Sequence, residues 1–387
     1  MTRRQTLKAI ALGTLWGGLP AHAASRRGDI ERRIAARTFP SVFQAWNKAD
    51  NLKDEPELAT VARHDLVFHA PEFFGLRWEG ESRGLATAFR PDSIPQALAR
   101  RRKLLELNPN ILLLAEIRYR DASRRFLPEG HPWWRRKDGK TVAGWDEGGY
   151  LQLDFSSPDY RRHVAARAKA AIDTGVLDGV MLDWWHDDAD RLALAQAIRA
   201  AIGDDALILA NANDRTTPQT APLLNGYFME CTRSQAPADW QRIAATLSWA
   251  EAHLREPRIN CLETWFHKSR QDLNLMRATT TLALTHSDGY CLFSDPNPLP
   301  TPDHLHDWYG FWDKGLGQPK GPGKRRDDGA FIREFSRGFA VYNPMGNREV
   351  AVEFAEELTS RATGKKGRAH HVPASDGDLL LREIRTP

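Results

Sequence analysis

The chain has 387 residues, of which 41% are hydrophobic and 27% are charged, a composition typical of a globular protein. The formal net charge of +4 falls to +1 without the three basic residues of segment 1–23. This near-neutral balance argues against a nucleic-acid-binding surface. Beyond that segment no run approaches the roughly 18 apolar residues of a membrane span, so no membrane contact is expected for the rest of the chain.

The N-terminal segment has the features of an export signal. A basic start is followed by an apolar run and by a small-residue site that ends at Ala23. Arg3 and Arg4 are adjacent, as in twin-arginine signals. We therefore expect residues 1–23 to be cleaved, residues 24–36 to form a linker, and the mature protein to be periplasmic or secreted from a bacterium.

Eight apolar, β-rich runs follow, and helical patterns separate several of them. The strand-like runs are 39–46, 65–70, 111–119, 178–185, 207–213, 225–231, 258–265 and 287–295, and the helical patterns are 95–107, 158–173 and 189–202. Alternating β and α elements indicate a parallel sheet, and eight strands indicate a (β/α)₈ TIM barrel over residues 37–318. The connection over 119–153 is long for a barrel loop, and such loops are usually functional or disordered.

The composition changes after the predicted barrel. Residues 319–329 are rich in proline, glycine and charge and are predicted to form a linker. Residues 330–387 show strand patterns only, which predicts a small C-terminal antiparallel β domain. We expect it to pack on the side or bottom of the barrel, because a short linker has little reach.

The three cysteines, Cys231, Cys261 and Cys291, each lie inside an apolar run. Single cysteines so widely spaced are typical of small core residues rather than of a disulfide framework or a zinc site. A bond between Cys231 and Cys261 remains open at this point.

Acidic side chains occur at the ends of several predicted strands. Active sites of these barrels lie at the C-terminal face, so strand-end polar residues are the candidates for function. Cleavage of a glycosidic bond needs two carboxyl groups that flank it. We predict Asp183 as nucleophile or base and Glu230 as general acid, with Glu263 as the alternative acid.

Further polar and aromatic residues at strand ends or in the following loops are predicted to bind substrate. Aromatic faces stack on the apolar faces of sugar rings, although about half of the tryptophans are expected to be core residues. Trp78, Trp145 and Trp184 fall in the same regions. The predicted substrate-binding residues are Gln44, Trp46, His69, Glu116, Arg118, Trp133, Trp134, Trp185, Asn211, Asn213, Trp265 and Asp295.

A resemblance to known proteins rests on four motifs, namely FPSVFQAWN, NPNILLLAEIRY, HPWW and DGVMLDWW. Together they resemble a bacterial glycosyl hydrolase-like family with a TIM barrel. More distantly, an aspartate on strand four with an acid on strand six is similar to α-galactosidases and to endo-α-1,4-polygalactosaminidases. The resemblance implies hydrolysis of a carbohydrate outside the cytoplasm.

Two alternatives stay open. A non-catalytic glycan-binding barrel would keep the tryptophans without needing the geometry of a carboxylate pair. A metal-dependent amidohydrolase would need His-x-His at the end of strand one, which FPSVFQAW lacks. His186, Asp187 and Asp188 are adjacent, and neighbouring residues cannot all face one ion, so we predict no metal and no cofactor. The expected partner is a carbohydrate, and the sequence leaves the sugar and the oligomeric state open.

Overall fold

The computed structural model describes residues 25–295 and 304–383, so the predicted signal segment lies outside the described residues. Eight strands, β1 to β8, form one parallel sheet in sequence order. Val42 pairs with Cys291, and the Cys291 N–H donates to the Ser41 carbonyl, which brings the last strand against the first. The predicted eight-stranded barrel is confirmed. Its strands are Phe43–Ala45, Leu66–His69, Leu112–Glu116, Gly179–Leu182, Leu207–Asn211, Gly226–Cys231, Cys261–Trp265 and Tyr290–Ser294.

Seven α-helices surround the described part of the barrel, and the predicted helices at 158–173 and 189–202 coincide with two of them. Asp188 caps one of these, since its side chain accepts from the Arg191 N–H. Among the described residues, only a short 3₁₀ turn, Ala221–Leu223, lies between β5 and β6. The helices are α1 Arg26–Ala36, α2 Glu57–Ala62, α3 Ile94–Leu107, α4 Pro158–Asp173, α5 Ala189–Ile202, α6 Pro237–His253 and α7 Leu273–His286.

Aromatic side chains fill the interior of the barrel. The rings of Phe43, Phe68 and Phe228 lie 5.0 to 6.0 Å apart, and Trp46 packs on Phe68 at 4.9 Å. Side chains two residues apart share one face of a strand, so Glu230 stands above Phe228 on the inner side of β6. The aromatic cluster therefore lies in the barrel interior directly below the strand-end carboxylate of Glu230.

Residues 24–36 do not form the predicted linker, because α1 occupies most of them. Arg33 of α1 is almost completely buried and pairs with Asp178 just before β4, and Arg101 of α3 pairs with the same carboxylate at 2.8 Å. The Leu113 N–H also donates to Asp178. Burial alone would raise the pKa of Asp178, but Arg101 and Arg33 outweigh it and lower this pKa to about 2. This ionic cluster closes the bottom of the barrel.

The C-terminal domain is a six-stranded antiparallel sheet in the order β9-β10-β11-β14-β12-β13. Lys324–Arg325, inside the predicted linker 319–329, is its first strand, so much of that linker belongs to the sheet. Lys366–Val372 was not predicted, because its residues are polar and it lies at the edge of the sheet. The strands are β9 Lys324–Arg325, β10 Phe331–Phe335, β11 Gly338–Asn343, β12 Val350–Ser360, β13 Lys366–Val372 and β14 Asp376–Leu381.

This sheet packs against α7 on the side of the barrel. Arg277 of α7 pairs with Asp376 at 2.7 Å, and the Gly377 backbone approaches Thr281 so closely that a Cβ would lie 1.9 Å from its hydroxyl oxygen. The three cysteines are buried and unbonded. Within 25–295 and 304–383, no helix is both long enough and apolar enough to cross a membrane.

The long connection after β3 folds over the C-terminal face as two small antiparallel ribbons. One pairs Asp121–Ala122 with Leu151–Gln152, and the other pairs Arg136–Lys137 with Lys140–Thr141. This connection carries Trp145 to the cavities at the ends of the barrel strands.

Candidate active site

Two of the predicted catalytic carboxylates meet at one amide group. The Asn211 Nδ2 donates to Asp183 Oδ1 and to Glu230 Oε2, each at 2.8 Å, so these two oxygens are no farther apart than twice that distance. This upper limit includes the spacing of about 5–5.5 Å between the carboxyl groups of glycosidases that retain anomeric configuration.

The two carboxyl groups differ in their environment. Burial raises the pKa of Glu230 to about 8, and the negative charges of Asp183 and Glu263 act in the same direction. His304 and the hydrogen bond from Asn211 oppose this shift without cancelling it. Glu230 therefore carries a proton at neutral pH, which a general acid requires.

Glu263 pairs with Glu230 in the register of β6 and β7, but its surroundings differ from those of Glu230. It is fully buried, accepts a hydrogen bond from Ser294, and lies 2.8 Å from Nδ1 of His304. It lines none of the three cavities described below. Glu263 therefore contacts Ser294 and His304 without lining those cavities, and its predicted role as the alternative acid stays a prediction.

His304 is a site residue that the sequence analysis missed. It is buried, its ring lies 4.8 Å from that of Trp46, and it lines the same cavity as Asp183 and Glu230. It follows the last barrel strand by ten residues, where no strand-end pattern marks it. Only the fold returns this segment to the barrel mouth, so no local signal could have identified it.

Backbone strain is concentrated around these carboxylates. Trp46, Trp184, Asn213 and His304 have φ values of 48°, 56°, 51° and 56°. A left-handed conformation costs a non-glycine residue about 1–3 kcal/mol and persists only where surrounding structure imposes it. All four residues line the cavities at the strand ends, which is where functional strain is expected.

Three adjoining cavities form a groove across the C-terminal face. The central chamber, about 240 Å³, holds Asp183, Glu230 and His304. The β1–β3 arm, about 290 Å³, shares Trp46, His69 and Arg118 with it, and the β5–β7 arm, about 320 Å³, shares Trp145, Trp184 and Glu230. A larger cavity lies elsewhere, between α6 and the C-terminal sheet, and contains none of the predicted site residues.

Seven of the predicted substrate-binding residues line this groove, including both amides of strand five and a tryptophan of strand seven. Glu116 and Arg118 form an ion pair at 2.8 Å, and Trp46 Nε1 donates to the same glutamate. Burial raises the pKa of Glu116, against the effect of Arg118. The seven residues are Trp46, His69, Glu116, Arg118, Asn211, Asn213 and Trp265.

Three predicted tryptophans are not in the groove. Trp185 is fully buried and donates to the Thr220 hydroxyl, and Trp134 is buried and donates to the Pro128 carbonyl. Trp133 packs on side chains of α4, with its ring 5.1 Å from that of Tyr160. At the end of β4 successive residues point in opposite directions, so that Trp184 faces the groove and Trp185 faces the core. Trp133 and Trp134 lie on the long connection after β3, outside the groove.

Gln44 and Asp295 are likewise outside the groove. Gln44 is fully buried and donates to the carbonyl of Trp46, which supports the strained turn at the end of β1. Asp295 is buried, and its N–H donates to the carbonyl of Leu305. Both residues therefore hold backbone near the site without lining it.

The adjacent residues His186, Asp187 and Asp188 each contact a different partner rather than one common point. His186 lies against Arg215, Asp187 accepts from Gln219, and Asp188 pairs with Arg191. In the described part of the chain, no group of three or more histidine, cysteine, aspartate or glutamate side chains is arranged to hold a metal ion.

The fold and the site together define a (β/α)₈ barrel with a carboxylate pair at the ends of strands four and six. No protein-family model matches the chain, and no curated protein matches it. Solved structures match in fold. A noncanonic maltogenic alpha-amylase from Thermotoga neapolitana is 12% identical with a TM-score of 0.55, over 89% of this chain and 98% of the other.

An alpha-amylase from Malbranchea cinnamomea is 10% identical with a TM-score of 0.53, over 92% of this chain and 97% of the other. At such identities the likeness shows the fold alone, including a barrel followed by a C-terminal β domain. Both of these neighbours are amylases, so the resemblance to α-galactosidases and polygalactosaminidases stays a prediction.

Proposed function

We propose that the protein is a glycoside hydrolase that acts on a polysaccharide or oligosaccharide through Asp183 and Glu230. The observation that carries this proposal is the amide of Asn211, which donates to both carboxyl groups and so keeps them close enough to act as a retaining pair. One member of the pair is protonated at neutral pH and both line the central chamber.

The geometry supports a double displacement. Glu230 gives its proton to the glycosidic oxygen while an oxygen of Asp183 attacks the anomeric carbon, so the leaving sugar departs as an alcohol. Water then attacks the glycosyl ester, and the Glu230 carboxylate takes its proton. This releases the sugar with retained configuration and returns Glu230 to its protonated form.

Tryptophans place the sugar rings in this proposal. Trp46 and Trp184 line the central chamber, and Trp265 lines the β5–β7 arm, so aromatic faces are available on both sides of the scissile bond. The fold neighbours agree with a glycan, since one of them is an alpha-amylase from Geobacillus thermoleovorans complexed with acarbose, with a TM-score of 0.50. The acids on strands four and six also agree with the resemblance to α-galactosidases and polygalactosaminidases.

The test is incubation of the protein with a panel of bacterial and plant polysaccharides, with released reducing ends as the readout. Proton NMR of the first product should show the anomer of the substrate. Asp183→Asn is expected to abolish release and to keep glycan binding nearly intact, because the amide has the size of the carboxylate without its nucleophilic charge. Glycan binding with no release by the unmodified protein would instead favour a non-catalytic glycan-binding barrel.

We further propose that the substrate is met outside the cytoplasm, after twin-arginine export. The support is the sequence of residues 1–23, with Arg3 and Arg4 before an apolar run. A variant with both arginines changed to lysine should accumulate as uncleaved precursor in the cytoplasm. Equal processing of this variant and the natural chain would refute the export route.

A further inference from the structure

The β5–β7 arm is lined by Arg215 and Arg233, and no carboxylate of the described residues lies within ion-pair distance of either one. We propose that this arm binds an acidic sugar residue of the substrate, one bearing a carboxylate, sulfate or phosphate group, through Arg215 and Arg233. The inference rests on the proposed function and deepens it by naming the chemical class of the glycan. Because the arm shares Glu230 with the central chamber, the acidic residue would lie next to the scissile bond.

Neutral groups hold Arg215 in place. One guanidinium nitrogen lies 2.7 Å from Nδ1 of His186, and the other donates to Oδ1 of Asn213 at 2.7 Å. Burial and the nearby Arg215 lower the pKa of His186, so this ring accepts as a neutral imidazole. Asn213 is itself fixed, since its amide donates to the Glu230 carbonyl. Arg215 is therefore oriented while its positive charge stays uncompensated.

Arg233 has even fewer contacts. It follows β6 by two residues, is exposed, and lines the same cavity as Arg215. Its side chain makes no hydrogen bond and no ion pair with any residue in 25–295 or 304–383. An exposed cationic side chain that lines the groove and has no partner among the described residues is available to a ligand.

The carboxyl groups of this arm do not neutralise the pair. Asp214 is bound to Arg242 at 2.6 Å, and Glu230 is protonated at neutral pH. Glu147, on the long connection after β3, is the one lining carboxylate of this arm that remains free among the described residues. Two free cations thus face one free anion, and the arm has a net positive charge.

The β1–β3 arm of the same groove is different. Arg83 pairs with Glu72 at 3.3 Å, and Arg118 pairs with Glu116. Arg167 lies 4.0 Å below the ring of Trp78 and donates to two backbone carbonyls. Arg83 and Arg118 of that arm each have an anionic partner, and Arg167 is buried. Among the described residues that line the groove, exposed arginines without an anionic partner therefore occur only in the β5–β7 arm.

Arginine suits an oxyanion because its planar fork of N–H donors matches two oxygens of one group. Two such forks would bind a carboxylate, sulfate or phosphate and would repel the ammonium group of an amino sugar. This disfavours a galactosamine polymer as substrate, although the resemblance to polygalactosaminidases points to one.

The test begins with a glycan array of matched neutral, uronic-acid, sulfated, phosphorylated and amino-sugar oligosaccharides, probed with the full-length Asp183→Asn protein. The strongest binders should carry an oxyanion, and the distribution of signal among the three acidic classes identifies the group. Binding that is strongest for neutral or amino sugars would overturn the inference. If the natural protein also hydrolyses those neutral or amino-sugar glycans, the proposed hydrolase function stands and only the inference of an acidic substrate fails.

Arg233→Gln and Arg215→Gln, each in the Asp183→Asn background, are then titrated with the best acidic binder and its neutral counterpart. Each change should weaken acidic binding roughly 10–100-fold, as expected for a lost charged hydrogen bond, and should leave neutral binding unchanged. Arg83→Gln, in the paired arm, is the matched control and should have little effect. Equal losses for all three variants would overturn the assignment to this arm, and no binding with no hydrolysis of any glycan would refute the proposed function itself.

Discussion

The two ends of strand β4 carry the same residue type in opposite situations. Asp178 at the bottom is enclosed by Arg33 and Arg101, two cations that make it a structural anion. Asp183 at the top accepts from the Asn211 amide and from the N–H of Trp184, and no described cation lies within ion-pair distance. Asp178 is buried with its charge compensated and so stabilises the barrel, whereas the half-buried Asp183 has neutral donors only and lines the central chamber.

The same contrast separates the glutamates of β6 and β7. Glu263 is enclosed by Ser294 and His304, and Glu230 faces the groove. Strand position alone does not distinguish them, because they are partners in the register of the sheet. What differs is the set of groups that reaches each carboxyl from other parts of the chain.

The largest expected effect comes from exchanging aspartate for asparagine at each end of β4. Asp183→Asn should lose turnover completely while unfolding near the temperature of the natural protein. Asp178→Asn should lose about 3–5 kcal/mol of unfolding free energy, because the buried Arg33 and the partly buried Arg101 lose the carboxylate that they share. Thermal unfolding and the reducing-end assay measure both variants. The comparison fails if Asp178→Asn is as stable as the natural protein, or if its folded fraction has no activity.

A smaller effect is expected for glutamine at the two glutamates. Glu230→Gln should lower kcat roughly 10²–10⁴-fold on natural glycans, which is the usual contribution of general acid catalysis. It should have far less effect on an activated aryl glycoside, whose leaving group departs without a proton. Glu263→Gln is the matched control and should slow both substrates alike, since it acts through His304. Leaving-group dependence in Glu263→Gln instead would make Glu263 the acid.

The smallest expected effect is a pH dependence of stability, which has opposite signs for Asp178 at the bottom of the barrel and Glu230 at the top. Asp178 stabilises the fold above its unfolded pKa near 3.8, and this contribution is lost as pH falls towards about 2. Glu230 has a raised pKa, so its ionisation destabilises the fold increasingly as pH rises from 4.5 to about 8.

Glu230→Gln should therefore match the melting temperature of the natural protein near pH 4.5 and exceed it increasingly towards pH 8. Activity of the natural protein should fall as pH rises through about 8, where Glu230 loses its proton. A melting-temperature difference that is constant over this range would show that Glu230 does not titrate there.

The sequence by itself determined the elements with strong local patterns. Continuous apolar runs identified all eight barrel strands, and 158–173 and 189–202 were predicted with the bounds that α4 and α5 have. An acid at the end of an apolar strand also marked Asp183 and Glu230, because the C-terminal ends of parallel strands meet at one face. These features depend on residues that are neighbours in the chain.

Only the tertiary structure decided which of the marked residues share a site. Asn211 joins Asp183 to Glu230, while His304 arrives from beyond the last strand. Arg33 of α1, in the segment predicted as a linker, has a buried partner 145 residues away at Asp178. Distances, charge compensation and burial depend on groups brought together from distant parts of the chain. No local pattern encodes them, so the sequence proposed the carboxylates and the fold selected the pair.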